Sequence, residues 1–398
     1  MKVLVVRRGR SKPLWMGHPW VHADSVETVR EDGREAPADL VEVQDGEGKR
    51  VGYALHSPGS LLVARLVTRA AEVPDLEGLL VARLEAAQAL RARLFPDPGV
   101  TSAYRLVHSE GDGLPGLVVD RFGPLLVAQF ATGPMFRRRE ALAQRLLALT
   151  GARSLLARPG GHEEEEGIAP GDVALAVGEP VPDLLELREA GMPLLVAPRE
   201  GQKTGHFVDQ RENRVLVGAL CEGLEVLDLF TGTGGFALRA LQAGARSVLA
   251  VDASERALAQ AAAHARLLGV EQRLVLQRGD VREVLGGLRT AERQFGLVVL
   301  DPPSLFPRRG PPGAALKGYR ELNVRALTRV APGGFLATFT CSGRLDREGF
   351  LEVVRAAARE CRAEVRVVRE LGAGPDHPWS LAAPEGRYLT GLLLRVNA

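Results

Sequence analysis

The sequence predicts an α/β protein. Its C-terminal half reads as a doubly wound, mostly parallel sheet, preceded by a small N-terminal β barrel and a small α+β middle domain. Three observations predict this. Between residues 225 and 358, apolar strand-like runs alternate with helical patterns, as in a parallel sheet wrapped by helices. Before residue 68 only short β-like runs occur, separated by turn signals. Between these regions, strand pairs surround helices. A chain of 398 residues is also too long for one ordinary core. Boundaries at 68 and 185 divide it into residues 1–68, 69–185 and 186–398.

The N-terminal strands are expected at Val3–Val6, Leu40–Val43, Val51–Leu55 and Leu61–Leu66, with turns at Asp45-Gly46 and Pro58-Gly59. An exposed loop, Met16-Gly17-His18-Pro19-Trp20-Val21, lies among them. Glu77 to Phe95 has helical apolar spacing and is stopped by Pro96-Asp97-Pro98. Strands follow at Tyr104–His108, Leu117–Asp120 and Leu125–Phe130, then a helix from Phe136 to Leu149 and a strand at Ser154–Ala157. Glu163 to Glu166 reads as a solvated loop. After residue 186, a strand at Leu194–Ala197 and a helix opening at Asp209 lead into the alternating region.

Composition narrows the function. The chain is 45% hydrophobic and 25% charged, ordinary for a soluble globular protein. No run of about 18 apolar residues suggests a membrane span. The apolar stretch after Lys2 is too short for a secretory signal. Cys221, Cys341 and Cys361 lack metal-ligand spacing, and so sparse a set predicts a reducing, cytoplasmic setting without disulfides. A net charge of +2 excludes a polycation. Any nucleic-acid contact must come from local patches such as Arg7, Arg8, Arg10 and Lys12, Arg137-Arg138-Arg139, or Arg308-Arg309. Each patch alone reads first as a solvated face. A homo-oligomer is compatible with the sequence.

The alternating region carries the chemistry. Asp228-Leu229-Phe230-Thr231-Gly232-Thr233-Gly234-Gly235-Phe236 follows the apolar run Leu224–Leu227 and leads into a helix. Such a turn lets backbone approach a ligand and aims a helix N-terminus at it. Gly232, Gly234 and Ala237 fit G-x-G-x-x-A, and Asp252, followed by Ala253, ends the next strand where an acid can accept ribose hydroxyls. These features suit NAD and S-adenosylmethionine alike. Two further acids favour the second. Asp228 is placed for a methionine ammonium. Asp280, before Val281, could accept from an adenine amino group, or could simply cap the next helix. Acids at successive strand ends resemble the class I methyltransferase scheme more than a dehydrogenase.

Asp301-Pro302-Pro303 ends the apolar run Phe295–Leu300 and sets a carboxylate on a stiff turn beside this cofactor site. Thr340-Cys341-Ser342-Gly343 ends the strand Gly334–Phe339 at the same sheet edge. A lone Cys is usually inert core, but this one lies past the apolar part of its strand. A thiol there suits cytosine C5 methylation, because addition to C6 makes C5 nucleophilic. Asp301 would stabilise charge on the ring through N3. Cys221 and Cys361 read as structural.

These residues resemble a known family, the bacterial large-subunit ribosomal RNA cytosine-5 methyltransferases with a PUA domain, a middle domain and a Rossmann-like catalytic domain. The likeness covers essentially the whole chain. It is carried by Lys203-Thr204-Gly205-His206-Phe207-Val208-Asp209-Gln210-Arg211-Glu212-Asn213-Arg214, by Asp301-Pro302-Pro303, and by Lys317-Gly318-Tyr319-Arg320-Glu321-Leu322-Asn323. Thr340-Cys341-Ser342-Gly343, Asp376-His377-Pro378 and Pro384-Glu385-Gly386-Arg387-Tyr388-Leu389 complete it. The resemblance implies Cys341 as nucleophile, Asp301 as its partner, and Gln210 and Arg211 near the cofactor or substrate. It implies S-adenosylmethionine as cofactor, 23S ribosomal RNA as partner, and RNA binding by the domain holding His18-Pro19-Trp20. The alternatives are base-nitrogen methylation through Asp301 alone, a dinucleotide oxidoreductase, and a non-catalytic RNA-binding assembly factor.

Overall fold

In a computed structural model, residues 1–161, 163–200, 204–306 and 311–397 are described. The chain divides into two compact units. One comprises Met1–Leu187, Val196–Val208 and Pro375–Gly386; the other comprises Arg188–Leu195, Asp209–Gly374 and Arg387–Ala398.

The first unit opens with a six-stranded sheet ordered β2-β6-β5-β4-β1-β3. Its strands are β1 (Lys2–Val6), β2 (Trp20–His22), β3 (Val26–Glu31), β4 (Leu40–Gln44), β5 (Arg50–His56) and β6 (Leu62–Thr68). β1 and β4 run parallel; the other pairings are antiparallel. A one-turn helix, α1 (Lys12–Trp15), precedes β2. So the expected loop is partly regular, and Trp20 donates its indole N–H to Glu110 at 3.0 Å. The helix α2 (Leu76–Leu94) starts on an Asp75 side-chain cap. A five-stranded sheet follows, ordered β11-β10-β9-β8-β7, from β7 (Ala103–His108), β8 (Leu117–Phe122), β9 (Leu125–Phe130), β10 (Ser154–Ala157) and β11 (Ala176–Gly178). Leu40, Tyr53 and Leu55 of the first sheet share a buried cluster with Leu80 and Leu84 of α2 and Leu106 and Leu126 of the second.

Two expectations are corrected here. The single helix from Phe136 is two, α3 (Gly133–Arg137) and α4 (Arg139–Thr150), because Pro134 starts a turn early and the chain breaks at Arg138. The Arg138 side chain then donates to the Pro134 carbonyl at 3.0 Å, replacing the helical bond lost at the break. The glutamate run is not simply solvated. Glu166 is nearly buried, pairs with Arg65 at 3.1 Å and accepts from the Gly133 N–H at 3.0 Å.

A two-stranded sheet, β12 (Leu185–Glu189) and β13 (Met192–Val196), follows in sequence. The second unit is built on a seven-stranded sheet ordered β16-β15-β14-β17-β18-β20-β19. Its strands are β14 (Glu225–Leu229), β15 (Ser247–Asp252), β16 (Leu274–Arg278), β17 (Phe295–Leu300), β18 (Val330–Thr340), β19 (Val365–Gly372) and β20 (Thr390–Val396). The first five are parallel, and β20 inserts antiparallel between β18 and β19.

Alternating strand residues face opposite layers. Val226, Val248, Leu297 and Val299 pack with Val217 of α5 (Arg211–Gly218), Ala237 of α6 (Gly235–Gln242) and Ala265 of α7 (Glu255–Leu268). Leu227, Leu249, Val298 and Leu300 pack with Leu285 of α8 (Val281–Thr290), Leu322 of α9 (Gly313–Leu327) and Phe350 of α10 (Arg347–Glu360). Helices therefore cover both faces. The strand order reverses between β14 and β17, which opens a crevice at their carboxyl ends.

Candidate active site

The turn after β14 is strained into shape. Phe230, a non-glycine residue, holds φ +62°, and Gly232 and Gly234 hold +55° and +86°. A left-handed Phe costs of order 1–3 kcal/mol and marks a constrained loop. A Cβ on Gly232 would meet nothing, so that side of the turn is open to a ligand. At Gly235 a Cβ would lie 2.5 Å from Arg214 Nε, so a side chain there would displace the guanidinium that pairs with Glu189.

Asp228 is buried. Its Oδ2 accepts from Thr231 Oγ1 at 2.5 Å and from the Ala237 N–H at 3.0 Å. Its Oδ1 is buried without a hydrogen-bond partner. A buried acceptor of this kind calls for a donor, and an ammonium fits it. Burial pushes this carboxyl up to about 7, against hydrogen bonds from Thr231 and Ala237 that favour its charged form. An ammonium beside Oδ1 would favour the carboxylate. Were Asp228 to hold a cofactor ammonium, affinity would rise as pH climbs through about 7, with a proton released on binding. Calorimetric titrations on either side of that pH would check it. Asp228→Asn should flatten the dependence and weaken binding by about tenfold or more.

Asp252 ends β15. Its Oδ2 accepts from the Gly232 N–H at 2.8 Å and its Oδ1 from the Ser254 N–H at 2.8 Å, tying the glycine turn to the next strand end, beside Ala253. Thr231 is held on the same side, its N–H donating to the Val251 carbonyl at 3.0 Å. Asp280 is exposed and caps α8 just before Val281. Its Oδ1 accepts from the Arg282 and Glu283 N–H groups at 2.7 and 3.3 Å. The capping role is thus present, and it uses one of two carboxylate oxygens.

Asp301 follows β17, next to Asp228 across the switch point. Gln210 Nε2 donates to its Oδ2 at 3.0 Å. Gln210 Oε1 in turn accepts from Asn213 Nδ2 at 2.6 Å, so the amide cannot rotate away. Burial, helped by the Asp209 charge, pushes the Asp301 carboxyl up to about 7. Asp209 is itself bonded by the Tyr388 hydroxyl at 2.5 Å. Arg211, adjacent to Gln210, is buried and pairs with Glu212 at 2.9 Å. Cys341 lies just past the end of β18 and is half-buried. Its Sγ is 3.9 Å from the Pro302 carbonyl, which brings the thiol onto the Asp-Pro-Pro turn. Cys221 is fully buried with its thiol pushed up to about 12 by desolvation, and Cys361 is raised for the same reason.

Two residues shape the site through distant partners: Arg214, which closes the Lys203–Arg214 block, and His264, which the sequence reading did not single out. Arg214 Nη1 lies 2.8 and 2.7 Å from the two oxygens of buried Glu189, and its charge opposes the upward shifts of both Asp228 and Asp301. His264 on α7 bonds the Thr233 carbonyl through Nδ1 at 2.9 Å and accepts from the Leu195 N–H through Nε2 at 2.7 Å. Their partners lie 25, 31 and 69 residues away, so no local pattern predicts these contacts. The structure disperses the Arg137-Arg138-Arg139 patch: Arg137 and Arg138 pair with Asp39, and Arg138 also with Glu77. Arg308-Arg309 and Lys203 lie outside the described residues.

Five parallel strands with an antiparallel strand inserted beside β18, a glycine turn after β14, and acids at the following strand ends have the form of a class I methyltransferase catalytic domain. Comparison with known proteins agrees. Residues 4–69 match a PUA-like domain and residues 104–390 an S-adenosylmethionine-dependent methyltransferase family. Two similar proteins are named ribosomal RNA large subunit methyltransferase I. The one from Cronobacter sakazakii is 36% identical and the one from Erwinia tasmaniensis 35%, each over 99% of both chains. A solved structure described as a SAM-dependent methyltransferase from Streptococcus mutans shares the fold with a TM-score of 0.85 over the whole of both chains, at 19% identity. This chain belongs to that family of PUA-domain, S-adenosylmethionine-dependent methyltransferases, and S-adenosylmethionine is its cofactor. Among the described residues, no helix is long and apolar enough to cross a membrane.

Proposed function

We propose that this enzyme methylates C5 of a cytosine in large-subunit ribosomal RNA, in the cytoplasm, with Cys341 as nucleophile and Asp301 as the acid at N3. The substrate reading rests on the names of the full-length relatives. The chemical reading rests on one observation above the others: Cys341 Sγ sits 3.9 Å from the carbonyl of the residue after Asp301. Asp228, with its unpartnered Oδ1, would hold the methionine ammonium, Asp252 the ribose, and Asp280 through its second oxygen the adenine amino group. Phe230 to Gly234, Ala253 and Val281 would line the same site. Gln210 orients Asp301, and Arg211, the first residue of α5, would lie near the cofactor or substrate.

The Cys341 thiolate adds to C6, forming the S–C bond, while the C5=C6 π electrons move toward C5 and the ring carbonyl. Asp301 gives its proton to N3 and neutralises that charge. S-adenosylmethionine supplies an electrophilic methyl on a sulfonium, which C5 takes as the S–CH3 bond breaks. A base then removes the C5 proton, its electrons re-form C5=C6, the thiolate leaves, and Asp301 recovers the N3 proton. Methyl transfer from labelled cofactor to unmodified ribosomal RNA, followed by nucleoside mass analysis, tests the reading. A 5-methylcytidine product is expected; methylated guanosine or adenosine would refute it.

RNA is expected to meet the N-terminal sheet through phosphate contacts. Arg8, Arg10 and Lys12 are exposed beside β1 and α1, and the Arg8 side chain is 80% exposed. Replacing Arg7, Arg8 and Arg10 with Gln should weaken binding and flatten the log affinity against log salt slope by about 2. An unchanged slope removes this patch from the interface. The division into residues 1–68, 69–185 and 186–398 is likewise proposed, on the strength of the three large sheets.

A further inference from the structure

Addition of a thiolate to C6 activates C5 in cytosine and in uracil alike, so a thiol does not choose between the two bases. The choice falls to the group that meets the edge where they differ. Cytosine offers an acceptor at N3 beside a donor at its exocyclic amine. Uracil offers the reverse, a donor at N3 beside an acceptor at O4. A neutral carboxyl matches the first edge when its proton lies on the oxygen facing N3, and the second when the proton lies on the other oxygen. The oxygen of Asp301 that carries the proton therefore decides which pyrimidine it fits.

A chain of buried amides fixes that oxygen. Gln210 and Asn213 are only 3% and 4% exposed. Asn213, in the first turn of α5, donates through Nδ2 to the Gly372 carbonyl at 2.9 Å. Gly372 is held opposite Thr390 in the β19–β20 ladder. A backbone carbonyl only accepts, so the Asn213 atom facing it is the nitrogen and not the amide oxygen. The same NH2 donates to Gln210 at 2.6 Å, which makes the Gln210 atom there Oε1. Nε2 is left to face Asp301, and it donates to Oδ2 at 3.0 Å. Oδ2 is thereby an acceptor, and the carboxyl proton belongs on Oδ1. Among the described residues, Oδ1 has no hydrogen-bond partner of its own. Turning the Gln210 amide over would oppose two NH2 groups. Turning Asn213 would oppose two carbonyl oxygens. Either leaves buried polar groups unsatisfied.

We infer that Asn213 is a specificity-determining residue: it sets the polarity of the Gln210 amide, which holds the Asp301 proton on Oδ1 and fits the acid to cytosine over uracil. Asn213 acts through Gln210 and so positions without touching the base. The inference rests on the reading of Asp301 as the acid at N3. Single-turnover methyl transfer by the full chain tests it, on large-subunit ribosomal RNA transcripts with cytosine, or uracil, at the nucleotide that wild type methylates. The quantity read is the cytosine-to-uracil ratio of rates, in which a general loss of folding or cofactor binding cancels. Wild type should favour cytosine by ~100-fold or more. Asn213→Ala frees the Gln210 amide to turn and should narrow the ratio ~10- to 100-fold. Gln210→Leu removes the donor to Oδ2 and should narrow it as far, and the double variant no further than Gln210→Leu alone. A ratio in Asn213→Ala within about twofold of wild type overturns the inference. So does a wild type that methylates both transcripts alike, or a double variant in which the two effects add. Should Asn213→Ala fail to fold, Asn213→Ser, whose single hydroxyl proton cannot serve both Gly372 and Gln210, is read by the same ratio. Asp301→Asn separates the two readings. At full rate on cytosine it defeats the acid reading and the inference with it. An impaired Asp301→Asn beside an unmoved ratio in Asn213→Ala defeats the specificity role alone.

Discussion

Cys341→Ala is expected to lower methyl transfer by on the order of a thousandfold or more while leaving cofactor affinity nearly unchanged. The separation of the two effects follows from geometry. The thiol sits past β18, on the Asp-Pro-Pro turn. The groups proposed to hold the cofactor lie at the ends of β14 and β15, on Asp228 and Asp252. Removing Sγ takes away one half-buried atom at a strand end and no hydrogen bond of the glycine turn, so the fold should persist. Labelled-methyl incorporation into unmodified ribosomal RNA, wild type beside variant, reads the first effect, and calorimetric titration with cofactor reads the second. A variant that still turns over would end the covalent mechanism and leave methylation to Asp301 alone.

Asp301→Asn is expected to cost about 10²- to 10⁴-fold, the range for a positioned proton donor, and to change the shape of the pH profile. With its carboxyl raised to about 7 by burial, Asp301 holds its proton below that pH and loses it above. The acid is therefore available on the low side, and its contribution falls as pH rises through about 7. Cysteine reactivity runs the other way, because the thiolate is the nucleophile. The wild-type single-turnover rate should accordingly pass through a maximum, with the alkaline fall due to Asp301. The amide introduced by Asp301→Asn can donate a hydrogen bond to N3 but cannot transfer a proton, so the alkaline limb should vanish from the variant. A limb that survives the substitution would belong to another group.

Both residues were legible from their neighbours in sequence. Asp301 precedes two prolines after a six-residue apolar strand, and Cys341 follows a strand whose apolar part has already ended. Local order carries that information, since a strand end at a parallel sheet's carboxyl edge is recognisable from the run before it. The glycine turn was legible for the same reason. Other features were not. The break at Arg138 sits where its guanidinium bonds Asp39, 99 residues away in sequence. Glu166 looked solvated beside other glutamates, yet its partner Arg65 is 101 residues distant. The C-terminal return was missed too: β20 enters the sheet between β18 and β19, so chain order and spatial order differ.

What the sequence by itself determined is the doubly wound sheet, the places along it where a ligand must sit, and the residue types offered there. Period-two and helical spacing, and the turns that interrupt them, are local properties, and they place Asp228, Asp252, Asp301 and Cys341 at strand ends without reference to anything distant. What only the tertiary structure decided is their chemical state and their separation. Burial raises the carboxyls of Asp228 and Asp301, Arg214 restrains that shift, and Gln210 and Tyr319 bring side chains to the same turn from separate helical segments. Those effects depend on dielectric environment and on distances through space. A chain written in one dimension encodes them only through the complete fold.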